Sequence, residues 1–237
     1  IGEQSLSALN SGSNNTAVGY GSGKLIEDGS YNTCFGYNAG SGITSGIYNT
    51  ALGYNVLAAA DSENYNLGIG EGVMEGSING AEYNVGIGNN VLDALTTGDS
   101  NTAVGFASMS GVTTGGSNVA VGYQALGSGT LTGSYNTAVG LQAMNNTTSG
   151  ANNTAIGYSA GNDALLSIGT VSNYIVLGNN SNTNSIIKAD WTTGSDRRDK
   201  TDIEDLPEAA GLNFVNKLRP VTYVWDNRSN YYSHTHD

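Results

Sequence analysis

The chain has 237 residues and a formal net charge of −12, with only 8 Lys and Arg. So acidic a chain is ill suited to nucleic acid, whose phosphates must be neutralised by basic side chains. No run of 18 apolar residues occurs, which excludes a membrane-inserted helix, and no signal peptide is visible at the start, Ile1.

Glycine is abundant, at 35 residues, and proline scarce, at 2. Such composition can accompany disorder, but here it is phased. Asn15-Thr-Ala-Val-Gly-Tyr20 returns from Asn32, Asn49, Asn66, Asn84, Asn101, Asn118, Asn136 and Asn153. The intervals are 17, 17, 17, 18, 17, 17, 18 and 17 residues. Units this short cannot bury a core alone and must stack. Glycine then supplies the sharp bends.

Aligned copies form columns. The third position is always small, from Ala17 and Cys34 through Gly68 and Gly86 to Ala155. The fourth is always large and apolar: Val18, Phe35, Leu52, Ile69, Ile87, Val104, Val121, Val139 and Ile156. Neighbours on a strand face opposite sides. The large column is therefore expected to fill each coil and the small column to lie on the opposite, closely approached face. A second pair, as in Val56-Leu57, Val73-Met74 and Val91-Leu92, suggests a second short strand per coil. The glycines leave no helical apolar period.

The Asn column is expected to form a ladder of side-chain amides, since each amide both donates and accepts. Sequons at Asn14, Asn146 and Asn152 are what an Asn/Thr-rich repeat generates by chance. Cys34 occupies a small-residue position and reads as a buried hydrophobe. A coil holding about two large side chains has a thin core, and its open face would gain stability against copies of the same chain. The expected fold is all-β: a parallel β-roll or β-solenoid of about nine 17–18-residue coils that associates with copies of itself; what its coils and its C-terminal segment resemble implies a homotrimeric bundle and, after the coils, the start of an α+β domain.

GSYNTAVGY-type coils, over about residues 10–165, resemble the head repeats of trimeric autotransporter adhesins. That resemblance implies left-handed parallel β-rolls packed three to a bundle. The period here is longer than is usual in those heads, which places extra residues in outer loops such as Leu25–Ser30 and Ala58–Glu63, candidates for receptor contact.

After Tyr158 the phase breaks. Residues 171–188 read as two β-rich pieces around a polar turn. Beyond Trp191 charge concentrates in Ser195-Asp-Arg-Arg-Asp-Lys200. A helix is expected from Pro207 to Leu218, with Ala209, Leu212, Phe214, Val215 and Leu218 apolar and Asp205 as cap. Pro220 ends it, and Val221–Trp225 alternates as a strand. SDRRDK, this helix and the KLRPVTYVW strand together resemble the start of the endosialidase-type intramolecular chaperone domain of phage tail fibres and tailspikes, over roughly residues 190–237. In that family the domain trimerises the fibre and then cuts itself off. The resemblance implies Ser195 as nucleophile, Lys200 as base, and cleavage of the Ser195–Asp196 bond. A lysine can serve as base when burial depresses its pKa.

Three segments follow: a repetitive β-roll over 1–170, a β-rich connector over 171–194, and the truncated chaperone domain over 195–237. His234 and His236 lie beside Asp237 but do not make a metal site, which needs three or four converging ligands. Trp191 and Trp225 read as packing residues. No cofactor and no metal are expected, and the one possible enzymatic event is single-turnover self-cleavage. The functional expectation is a receptor-binding virion fibre or tip protein that meets a glycan or protein on the host surface. The alternatives are a bacterial cell-surface adhesin and an ice-binding solenoid, the latter from the partial row of Thr16, Thr33, Thr50, Thr102, Thr137 and Thr154.

Overall fold

The computed structural model describes residues 1–127, 129–162 and 167–183. They contain ten strands: β1 (Thr16–Val18), β2 (Thr33–Phe35), β3 (Thr50–Tyr54), β4 (Leu67–Glu71), β5 (Val85–Asn89), β6 (Thr102–Val104), β7 (Val119–Val121), β8 (Thr137–Val139), β9 (Thr154–Ile156) and β10 (Ile175–Leu177). All ten pair in parallel in chain order as one sheet. Like faces like, as in Thr16 opposite Thr33 and Val18 opposite Phe35. The fold is an all-β solenoid, one coil per repeat. β10 joins in register, with Ile175 opposite Thr154, so the stack continues into the segment where the 17-residue phase is lost.

Each coil contributes one strand to the sheet, not two. The second pair lies in tight bends, where Leu57, Met74, Leu92, Met109, Leu126 and Met144 take left-handed φ values of 50–54°. A single hydrogen bond per coil continues the stack there: Leu57 N–H donates to the Val73 carbonyl and Met74 N–H to the Val91 carbonyl, both at 3.0 Å.

The expected direction of the strand side chains is reversed. The small column is the buried one, with Cys34, Ala51, Ala103, Ala120, Ala138 and Ala155 fully enclosed. The large column faces outward, and none of its members is buried. Space decides the matter. Three further columns already fill the coil: the Val56-type residues, the Leu57-type residues, and a set comprising Ile26, Ile43, Ile78, Leu95, Val112, Leu131 and Ile168. Along β1–β9 only Ala, Cys or Gly stands beneath the sheet, and Val176 takes that place in β10 at the end of the stack. The segments read as outer loops supply part of this core, since Ile26 and Ala60 are buried.

Volumes compensate from coil to coil. Between successive valines of the Val56-type column, Val56 and Val73, then Val73 and Val91, the small column falls to glycine. A Cβ on Gly68 would strike Val56 Cγ1, and one on Gly86 would strike Val73 Cγ1. Where the Leu57-type column falls to Gly23, Gly40 or Gly161, the Cδ1 atoms of Ile26, Ile43 and Ile168 occupy the space.

The glycine after each strand is fixed by its backbone. From Gly19 to Gly157 this column has φ between 121° and 141°, a region essentially closed to side-chain-bearing residues. On Gly53 a Cβ would land on the carbonyl oxygen of Gly70.

The asparagine ladder is present as expected. Asn32, Asn49, Asn66, Asn84, Asn101, Asn118, Asn136 and Asn153 are buried. Each Nδ2 donates to a turn carbonyl, as Asn32 does to Gly46 at 2.7 Å and Asn49 to Glu63 at 2.7 Å. Each Oδ1 accepts the backbone N–H of the next asparagine, as in Asn49 N to Asn32 Oδ1 at 2.9 Å. Asn153 ends the ladder by accepting Tyr174 N–H at 2.9 Å.

Candidate functional surface

Inversion of the strands creates a surface. Alternate residues of β1–β10 point away from the core, so the first residue of each strand and the large apolar residue share one outward face. Phe35, Leu52, Val121, Ile156 and Leu177 are among its exposed members. Thr16, Thr33, Thr50, Thr102, Thr137 and Thr154 lie on the same face, interrupted by Leu67, Val85, Val119 and Ile175.

Tyrosines flank it on both sides. After the glycine, Tyr20, Tyr37 and Tyr54 stack with centroids 5.3 and 5.2 Å apart, and Phe106 stacks on Tyr123 at 5.4 Å. Before the asparagine, Tyr31, Tyr48, Tyr65 and Tyr83 stack at 4.7, 5.2 and 5.0 Å with their ring planes nearly parallel. These last four have left-handed φ values of 58–60°, a conformation that costs an ordinary residue roughly 1–2 kcal/mol. Ring stacking helps to offset the cost, as do bonds such as Tyr31 N–H to the Ser13 carbonyl at 3.0 Å. The sequence reading passed over these ladders, although Tyr recurs before the asparagine at the repeat period.

No Lys, Arg or His falls between Lys24 and Lys188. The carboxylates of this stretch therefore lack basic side chains within it. Glu63 is buried and anchors a turn through backbone donors, with Oε1 accepting Gly80 N–H at 2.9 Å and Oε2 accepting Asp61 N–H at 2.6 Å. Burial pushes the Asp93 carboxyl up from its ordinary 3.8; its own N–H and that of Ala94 oppose this, and the negative charge of Glu75 adds to it. Asp93 Oδ1 is buried without a hydrogen bond. Cys34 has its thiol pushed up to about 12 by burial, which removes it from nucleophilic chemistry near neutral pH. Among the described residues no three of His, Cys, Asp and Glu converge as a metal site would require.

The proposed cleavage pair, Ser195 and Lys200, lies outside the described residues, as do Trp191, Trp225, His234, His236, the helix expected over 207–218 and the strand over 221–225. Comparison with known proteins bears on this part of the chain. Residues 195–236 match the family described as chaperone of endosialidase. Neither a curated protein nor a solved structure matches the chain. The chain thus couples a β-solenoid to a C-terminal chaperone-of-endosialidase domain, an arrangement that fits a phage-fibre-like protein.

Proposed function

We propose that the protein is a receptor-binding fibre or tip component of a virion, acting outside the cell as a homotrimer and attaching the particle to its host. The outward face of β1–β10 carries this reading. Ten strands about 4.8 Å apart, each showing side chains across roughly 14 Å, present on the order of 600 Å² per copy. A patch of that size approaches one partner's share of a standard protein interface. It is uncharged along most of its length, and sister chains of the same pitch offer it a match rung for rung. The chaperone match at residues 195–236 supports the same assembly, because the resemblance implies a domain that trimerises a fibre.

That resemblance further implies self-cleavage at Ser195–Asp196, with Ser195 as nucleophile and Lys200 as base. Intact-mass measurement of the full-length product tests it. The wild type is expected to split at this bond and Ser195→Ala to remain whole. An uncut wild type, or a split alanine variant, removes the processing step. Light scattering tests assembly separately, with a mass of three chains expected. A folded monomer removes the trimer.

Ice binding is the second reading, favoured by the outward direction of the six threonines. Their row is broken by Leu67, Val85 and Val119, whereas an ice plane calls for an unbroken array. An ice-recrystallisation assay separates the two, with no inhibition expected.

A further inference from the structure

The tyrosine ladder that precedes the asparagines is interrupted. It runs from Tyr31 to Tyr83, gives way to Ser100 and Ser117, and resumes at Tyr135. All six positions from Tyr31 to Ser117 and also Tyr135 keep the same left-handed backbone, φ 57–62°. The two serines therefore occupy rungs of the ladder whose rings are missing. The gap between the Tyr83 and Tyr135 rings spans three rungs, about 14 Å. Among the described residues Tyr83 stacks on Tyr65 with one face only, and Tyr135 stacks on no ring. They are 54% and 68% exposed. The hydroxyls of Ser100 and Ser117 engage no protein group among the described residues; only their backbone N–H groups are used, toward the carbonyls of Glu82 and Asp99.

We propose that this notch is a binding slot for a neutral pyranose unit of a host glycan. The proposal rests on the host-attachment reading above and gives that reading a site. A pyranose presents a face of C–H bonds carrying partial positive charge, which an aromatic ring face attracts. Its hydroxyls project from the ring edge, where Ser100 and Ser117 can each donate and accept. Two missing rungs leave room for a sugar against either wall. Asp99 and Glu82 flank the serines, and no cation lies between Lys24 and Lys188. Sialylated or phosphorylated sugars would meet uncompensated negative charge. The companion gap, where Glu71 and Asn89 interrupt the ladder between Tyr54 and Phe106, is occupied differently: Asn89 Nδ2 donates to Glu71 Oε2 at 3.4 Å, so its polar groups engage each other.

The full chain is applied to a printed array of neutral hexose and N-acetylhexosamine oligosaccharides alongside sialylated and phosphorylated ones. Its adhesion to host cells is measured in parallel. Wild type is expected to retain neutral glycans only. Tyr83→Ala should lower the signal at least tenfold. The double variant Ser100→Tyr/Ser117→Tyr completes the ladder with the residue five other rungs carry, so it should abolish glycan retention while keeping or raising the melting temperature. Undiminished binding by the filled variant overturns the proposal, as does retention of anionic glycans alone. Adhesion to cells with no glycan retained overturns the slot but leaves the attachment reading intact. Loss of both overturns the attachment reading as well.

Discussion

Asn101 shows how much one side chain carries in a coil this narrow. Its Nδ2 donates to the Gly115 carbonyl at 2.9 Å and to Asn84 Oδ1 at 3.2 Å, while its Oδ1 accepts the backbone N–H of Asn118 at 3.0 Å. Asn101→Ala strands several of these buried partners, each worth about 1–3 kcal/mol. A loss of roughly 3 kcal/mol or more in urea unfolding is expected. Asp93 works in the opposite sense. Its pKa is raised in the folded state, so the fold favours the protonated form. Whatever stability it contributes is complete below its ordinary 3.8 and is lost as pH rises through the higher folded value. Asp93→Asn should therefore raise the melting temperature at pH 7 and leave it nearly unchanged at pH 3. An equal shift at both pH values would assign the effect to packing. The asparagine ladder was legible in the sequence because an amide satisfies its own copy. The raised pKa of Asp93 was not, because it depends first on how deeply the bend buries the carboxyl and only last on the charge of Glu75.

At the level of the strand, periodicity revealed alternation but not its sign. A pattern of small, large, glycine reads equally well in either direction. The clue lay in covariation within the chain: Gly68 and Gly86 occur where Val56, Val73 and Val91 crowd the interior, whereas the change from Val18 to Phe35 has no compensating partner. Residues that change size freely face solvent or another molecule. Gly68→Ala should accordingly destabilise the array by about 1–3 kcal/mol through overpacking. Val56→Ala in the same chain should recover a large part of that loss, a coupling a double-mutant cycle would read directly. Simple additivity would refute the complementarity. The column of Ile26, Ile43, Leu131 and Ile168 escaped the sequence reading for a different reason. It lies 11 residues after Asn15 and Asn32, but 13 after Asn118 and 15 after Asn153, so bends of variable length hide it from a fixed-period search.

For the whole molecule the dominant electrostatic fact is the separation of signs. Carboxylates recur from Glu27 to Asp163 with no basic residue among them, so the stacked coils repel along their length, and salt should relieve this. Raising sodium chloride from about 10 mM to 300 mM is expected to stabilise the array by roughly 1 kcal/mol, or about 2–4 °C in melting temperature for a chain of this size. A flat response would mean that the charges are too far apart to matter. The domain match at 195–236 agrees with a segment the sequence had already set apart by composition, since SDRRDK brings basic residues where the coils have none. The repeat of one hydrogen-bonded rung per coil also has a mechanical side. Pulled from its ends, a single such stack concentrates load on the outermost turn, because within one chain each turn is held only by its neighbours. It would peel one turn at a time, releasing about 55 Å of chain per event, and a single-molecule tether would register a train of small, evenly spaced drops in force. Under the trimeric attachment proposed above, a particle held by three such arrays would yield gradually under drag instead of snapping free.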